Sequence, residues 1–237
     1  MTTVSRVHDI GGTQGWGEVP YDPNEPVFHN DWERRVFGLM FQVLPHTAKR
    51  PGEFRHALER LAPEDYFCPD GYYGRWRAAI EVLLDEYGHV DKVELDDLLG
   101  VLPGTSPGYR VAKIAEITSE NLPPDRLTRK PEHRTVRREL EESSRFQVGD
   151  RVVAMGNSGM GHTRLPEYVR SIPGTVVKIH PAEVLPDSTA HNLGERPQHV
   201  LCVAYQAKDL WGEAAEENVV INVDLYENYL EMETEPS

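Results

Sequence analysis

Between Phe146 and Glu231, short β-branched runs recur: Val152 and Val153; Val176, Val177 and Ile179; Val200, Leu201 and Val203; Val219, Val220, Ile221 and Val223. Gly, Pro, Asn and Asp separate them, a spacing that predicts several short strands. A few short strands in an open sheet leave unpaired edges, and closure removes them. The segment is therefore expected to form one small antiparallel barrel.

The preceding half reads differently. Asn30 is a helix cap, Glu33 completes a capping box, and Trp32, Val36, Leu39, Met40 and Val43 form a helical stripe that Pro45 stops. Pro51 suits the first turn of a second helix, where Phe54, Ala57, Leu58 and Leu61 share a face and Arg55 and Glu59 are spaced as an i,i+4 pair. A third helix is predicted from about Gly71 to Tyr87, with Tyr72, Trp76, Ile80, Leu83, Leu84 and Tyr87 on one side and Gly88 ending it. A short capped helix over Asp91 to Leu99 follows. Residues 5–29 hold too many glycines and prolines for a regular element, yet keep Val7, Ile10, Trp16, Val27 and Phe28; they read as an extended arm laid over another chain or over its own domain. From Gly100 to Arg145 prolines leave room for one helix near Tyr109 to Glu120, and Arg126, Arg129, Lys130, Arg134, Arg137 and Arg138 make a basic cluster on what reads as a linker. The expected class is α+β: an arm over 1–29, a helical domain over 30–100, an irregular linker over 101–145 and a barrel domain over 146–237.

Composition excludes several functions. With 39% hydrophobic and 27% charged residues the chain reads as soluble and globular, and 39 acidic against 25 basic residues give a net charge of −14, which repels nucleic acid and anionic lipid. No apolar run approaches membrane-spanning length and the N-terminal stretch has no signal-peptide core, so a cytoplasmic location is expected. Cys68 and Cys202 are far apart and outside any CxxC, which argues against a disulfide framework or a thiolate metal site; Cys202, beside Val200, Leu201 and Val203, reads as a buried structural thiol. HExxH, G-x-S-x-G, a phosphate loop and GxGxxG after a strand are all missing, so the chain looks incomplete as an enzyme. Arg55, between apolar helix positions, and Arg164, in a Gly/His/Thr-rich loop, stand out by context, each as a surface ion-pair partner or as a binding residue.

Eight blocks in order, HDIGGTQGWG, EPVFHNDWE, EFRHALERL, YYGRW, GHTRLPEYVRSIPGTVV, LPDSTAHNLGERPQHVLCV, DLWGE and LYENYLE, resemble the signature stretches of the nitrile hydratase β subunit. The resemblance implies a helical N-terminal domain whose arm embraces an α subunit, and a C-terminal SH3-like β-barrel. It further implies that the α subunit carries cobalt(III) or iron(III) in a loop with two oxidised cysteines, while this chain binds no cofactor; the αβ heterodimer, assembling as α2β2, would hydrate nitriles to amides. Arg55 and Arg164 match arginines that hydrogen-bond the oxidised cysteines, a task suited to a permanently charged fork of donors. Met40, Pro51, Phe54 and Trp76 would line the substrate pocket, with the Tyr72 hydroxyl near the nitrile and Glu59 holding Arg55. Gly71 looks like an insertion before the tyrosine pair, which leaves Tyr73 as the alternative to Tyr72, since on a helix the two point about 100° apart. A subunit of the related thiocyanate hydrolase, or a non-enzymatic barrel-bearing interaction or metallochaperone-type protein, are the alternative readings.

Overall fold

The capping signal at Asn30 is realised in the computed structural model, which describes residues 7–13, 15–47, 51–91, 93–95, 97, 136–156, 161–191 and 193–234. The Glu33 carboxylate accepts the backbone N–H of Asn30 at 3.3 Å, and helix α1 (Asp31–Val43) follows. Burial works to raise the Glu33 pKa, but the N–H groups of His29 and Asn30 favour the charged form and hold it below the ordinary value. Helix α2 (Pro51–Glu59) opens on its proline, α3 (Pro63–Tyr66) is a single turn, and α4 (Gly71–Glu86) is followed by Gly88 at φ 67°. Their apolar faces meet in one core of Val36, Met40, Phe54, Ala57, Ala79, Ile80 and Leu83. Two polar ties seat α2 on α4: Arg60 donates from Nη1 and Nη2 to the two Glu86 oxygens, and the Tyr87 hydroxyl donates to Glu53 at 2.6 Å. The helices expected at 91–99 and 109–120 fall wholly or partly outside the described residues, as do Arg126, Arg129, Lys130 and Arg134 of the basic cluster.

The C-terminal strands are β1 (Arg151–Ala154), β2 (Pro173–Val184), β3 (Pro197–Gln206), β4 (Val220–Tyr226) and β5 (Leu230–Met232). All pair antiparallel, in the order β4-β3-β2-β1-β5. The closed barrel expected from the sequence is not formed by hydrogen bonding: β4 and β5 are the two edges, joined in sequence by a 3-10 turn at Glu227–Tyr229. No ladder joins the short β5 to β4; β1 and β5 have only four and three residues, and register shifts between Val176 and Lys178 and between His180 and Glu183 bend the long β2. The edge at β5 is kept short, which limits pairing with other chains. One face of the sheet packs Val152, Val176, Leu201, Val203, Tyr205, Leu225 and Tyr229 with Phe146, Leu165 and Val169.

Two flanking segments are part of this unit. Residues 136–138 extend its ladder, since Arg138 N–H donates to Ala182 at 2.9 Å, Val184 N–H donates to Val136 at 2.9 Å, and the Arg138 guanidinium grips both Glu195 oxygens at 2.8 Å. The start of the arm lies on it too. Asp9 accepts the Glu167 N–H at 3.1 Å and pairs with Arg170 at 3.1 Å, while Gly11 and Gly12 lie against Tyr168 and Trp211. The chain accordingly divides into one unit of residues 1–25 with 135–237 and a second of residues 26–134. No helix among the described residues is long and apolar enough to cross a membrane.

Gly174 lies where β2 crosses the core most closely: an added Cβ would stand 2.5 Å from Val203 Cγ1, 2.8 Å from Tyr205 Cε1 and 3.1 Å from the Ala204 oxygen. Because backbone is among these neighbours, relief requires the strands to separate. Gly174→Ala should lower unfolding free energy by about 1–3 kcal/mol, measured by urea denaturation; an unchanged midpoint would show that the β2–β3 spacing is looser than this.

Candidate functional site

The loop from Gly161 to Leu165 presents one charged side chain among buried neighbours. His162, Thr163 and Leu165 are 2%, 6% and 1% exposed, while Arg164 between them is exposed. Three contacts give the loop this path. The His162 N–H donates to His191 Nε2 at 2.9 Å, so closely that a Cβ on Gly161 would stand 2.5 Å from the same nitrogen. The Arg164 N–H donates to the Tyr229 hydroxyl at 3.1 Å, and the Leu165 carbonyl accepts from Arg170 Nη2 at 3.0 Å. The guanidinium of Arg164 itself makes no hydrogen bond or ion pair among the described residues.

Behind the loop, the Tyr229 hydroxyl donates to Asp187 Oδ2 at 2.5 Å. Burial raises the Asp187 pKa, against the pull of Tyr229, His162 and Thr163, and burial beside Asp187 pushes the Tyr229 phenol far above its ordinary value. The phenol therefore stays protonated, donates to Asp187 and keeps its oxygen lone pairs for Arg164 N–H. Tyr226 is pushed up to about 12 by burial and Glu183, with the Arg164 charge acting in the opposite direction.

The helical unit carries the other residues singled out by sequence. Arg55 is exposed on α2, next to buried Phe54, and makes no hydrogen bond or ion pair among the described residues. The i,i+4 pair expected with Glu59 is not made: Glu59 Oε2 lies 3.7 Å from His56 Nδ1, both groups are largely buried, and Arg55 points to solvent instead. Met40 and Phe54 are core residues at 8% and 7% exposure. Trp76 sits over them at the head of an aromatic cluster, with ring centroids 5.6 Å from Phe54, 5.2 Å from Tyr72 and 5.6 Å from Tyr73. Of the two tyrosines, Tyr73 is tucked against Phe28 at 5.2 Å, whereas Tyr72 is 57% exposed. Pro51 opens α2; its side chain lies outside the described residues. The structure thus gathers Met40, Phe54, Trp76 and Tyr72 in one unit and sets Arg164 in the other.

Sequence reasoning missed Tyr229, Asp187 and His191. Each fell inside a recognised block, but nothing in a one-dimensional pattern links a hydroxyl to a carboxylate 42 positions away.

Two family models match: the nitrile hydratase beta subunit N-terminal model over residues 4–108 and the C-terminal model over residues 135–232. The chain belongs to the nitrile hydratase β-subunit family. It is 35% identical to the nitrile hydratase subunit beta of Pseudomonas putida, over 96% of this chain and 99% of that one. It is 34% identical to the low-molecular weight cobalt-containing nitrile hydratase subunit beta of Rhodococcus rhodochrous, over 94% and 97% of the two chains. Among solved structures, a recombinant apo thiocyanate hydrolase from Thiobacillus thioparus matches 38% of this chain and 78% of its own at 28% identity, with a TM-score of 0.37. That likeness is too partial to bear on function.

Tyr229→Phe removes the donor to Asp187 and the acceptor of Arg164 N–H together. It should lower unfolding free energy by about 1–3 kcal/mol, whereas Asp187→Asn, which keeps an acceptor for Tyr229, should lose less. The Asp187 pKa is raised on folding, so its ionised form disfavours the folded state above that pKa, and the effect fades as pH falls to the unfolded value near 3.9. Relative to wild type, Asp187→Asn should therefore be comparatively more stable at pH 7 than at pH 3.5. Urea unfolding at both pH values checks this, and a Tyr229→Phe loss within about 0.5 kcal/mol would remove the role given to the network.

Proposed function

We propose that this chain is the β subunit of a nitrile hydratase, acting with an α subunit to add water across a C≡N bond and give an amide. The observation that carries the reading is a pair of exposed arginines, Arg55 and Arg164, whose guanidinium groups make no hydrogen bond or ion pair among the described residues, in a chain matching its relatives over nearly their whole length. An exposed arginine set on a loop tied down at its backbone suits a task on another molecule better than a role in this fold.

In this reading the α subunit holds cobalt(III) or iron(III) in a loop with two oxidised cysteines, and that metal supplies Lewis acidity. The residues of this chain fit the oxyanions around such a centre: guanidinium forks donate paired hydrogen bonds to sulfur-bound oxygens. Arg55 and Arg164 orient those oxygens. Trp76 and Tyr72 line an apolar aromatic wall of the substrate pocket, the Tyr72 hydroxyl orients the nitrile, and Phe54, Met40 and Pro51 support that wall. Glu59 acts through His56 to steady α2 rather than by gripping Arg55. The order β4-β3-β2-β1-β5, with a 3-10 turn leading into β5, supports an SH3-like arrangement of the sheet. An arm over 1–29, a helical domain over 30–100 and a linker from 101, which gives way to the sheet unit at residue 136, are the proposed organisation, in a cytoplasmic α2β2 assembly.

Arg55→Lys and Arg164→Lys, each co-expressed with the α subunit, should lower turnover of a simple nitrile by roughly 10²-fold or more with little change in thermal midpoint, since lysine cannot donate bidentately. Amide formation should appear in the co-purified complex and not in this chain alone. Wild-type turnover in both variants would remove the roles assigned to the arginines, and metal-dependent activity in the isolated chain would overturn the reading.

A further inference from the structure

Cys202 does not lie in the core as its apolar neighbours suggest. Leu201 and Val203 on β3 point into the core with Val223 and Leu225 of β4, so alternation places Cys202 on the opposite, outer face, where it is partly exposed. On that face the register sets Asp224 of β4 directly across from Cys202, with Lys178 of β2 across on the other side and His180 two residues further along β2. Cys202 Sγ, a His180 ring nitrogen and an Asp224 carboxylate oxygen all lie within 4.8 Å of one another, and His180 Nε2 is 3.2 Å from Asp224 Oδ1.

We propose that His180, Cys202 and Asp224 form a binding site for a zinc-class divalent cation on the outer face of the sheet. One imidazole, one thiolate and one carboxylate are the donor types that such an ion takes, and three protein ligands leave a fourth position for water. A tetrahedral shell needs donor atoms roughly 3.3–3.6 Å apart. The three side chains reach that by small rotations, because Asp224 is 58% exposed and unpacked.

Charge balance also fits the ion. A dication bound here displaces the thiol proton to solvent and stands between one thiolate and one carboxylate, so the site becomes neutral. Lys178, the one cation across from Cys202, is exposed on a flexible stem that swings into water. The bound ion would clip β2, β3 and β4 together on the face away from the core. Recognition by spacing fails here because each ligand comes from a different strand.

The test uses the full chain co-purified with its partner, titrated with Zn²⁺ against a chromophoric zinc indicator. Wild type should bind about one zinc per chain more than Cys202→Ser, and His180→Gln and Asp224→Asn should weaken that zinc by roughly tenfold or more. Repeating the titration in two buffers of different ionisation enthalpy should show about one proton released per zinc, lost in Cys202→Ser. Zinc bound elsewhere, including by the partner, cancels in the difference between wild type and variant. The outer-face position lets each variant keep the wild-type thermal midpoint in chelator; if one does not, the other two decide. Equal zinc in wild type and all folded variants would overturn the site. The zinc count does not depend on nitrile turnover, so its failure and that of the nitrile hydratase reading are separately visible.

Discussion

A phenol sealed in an apolar core has to find a partner for its hydroxyl, and that requirement organises the C-terminal unit. Tyr229 is 1% exposed, and leaving its hydroxyl unpaired would cost on the order of 1–3 kcal/mol. It resolves this by donating to Asp187 and accepting from Arg164 N–H, while its own carbonyl accepts the Met155 N–H at 2.8 Å. One residue therefore joins the end of β1, the start of β5, the turn at Pro186–Thr189 and the loop carrying Arg164. Burying the Asp187 carboxyl works against folding, as its raised pKa records, and the phenol offsets that with a short hydrogen bond. The loop is held through its backbone, and the Arg164 guanidinium makes no hydrogen bond or ion pair among the described residues.

The elements were legible where local chemistry decides them. Asn30 with Glu33, Pro51 at a first turn and Gly88 beyond α4 are local signals, and the helices begin and end at them. The strands were legible as alternation, but closure was not: it depends on which edges pair and where bulges fall, which are properties of strand pairing and not of one strand alone. The placement of Cys202 was within reach of period-two reasoning, since Leu201 and Val203 cannot share its face. Its apolar neighbours drew attention instead. Val136 to Arg138 read as part of a charged linker because a basic dipeptide gives no sign that its backbone will pair with β2.

The site divides along the same line. Arg55 and Arg164 were visible through recognised blocks, and the structure shows both of them exposed. Between Tyr72 and Tyr73 sequence left a choice; in the fold Tyr73 packs against Phe28 while Tyr72 is exposed. Spacing misled at Glu59: an i,i+4 interval permits a pair with Arg55 but does not compel it. His56, on the more buried side of α2, offers Glu59 a partner away from water. Tyr229, Asp187 and Asp9 left no periodic trace, because each acts through a single long-range hydrogen bond.

Asp9 carries this reasoning to the arm. Its carboxylate and the Arg170 guanidinium are 11% and 10% exposed, so neither charge is well solvated and each depends on the other. Arg170 has a second bond, to the carbonyl of Leu165, the residue after Arg164. Removing Asp9 would leave Arg170 largely buried with only a neutral acceptor, and the guanidinium, always protonated, would turn outward and release Leu165 with it. The order of the arm and the order of the Arg164 loop are thus coupled through one buried ion pair. Whatever fixes residues 7–12 also fixes the backbone from which Arg164 reaches out.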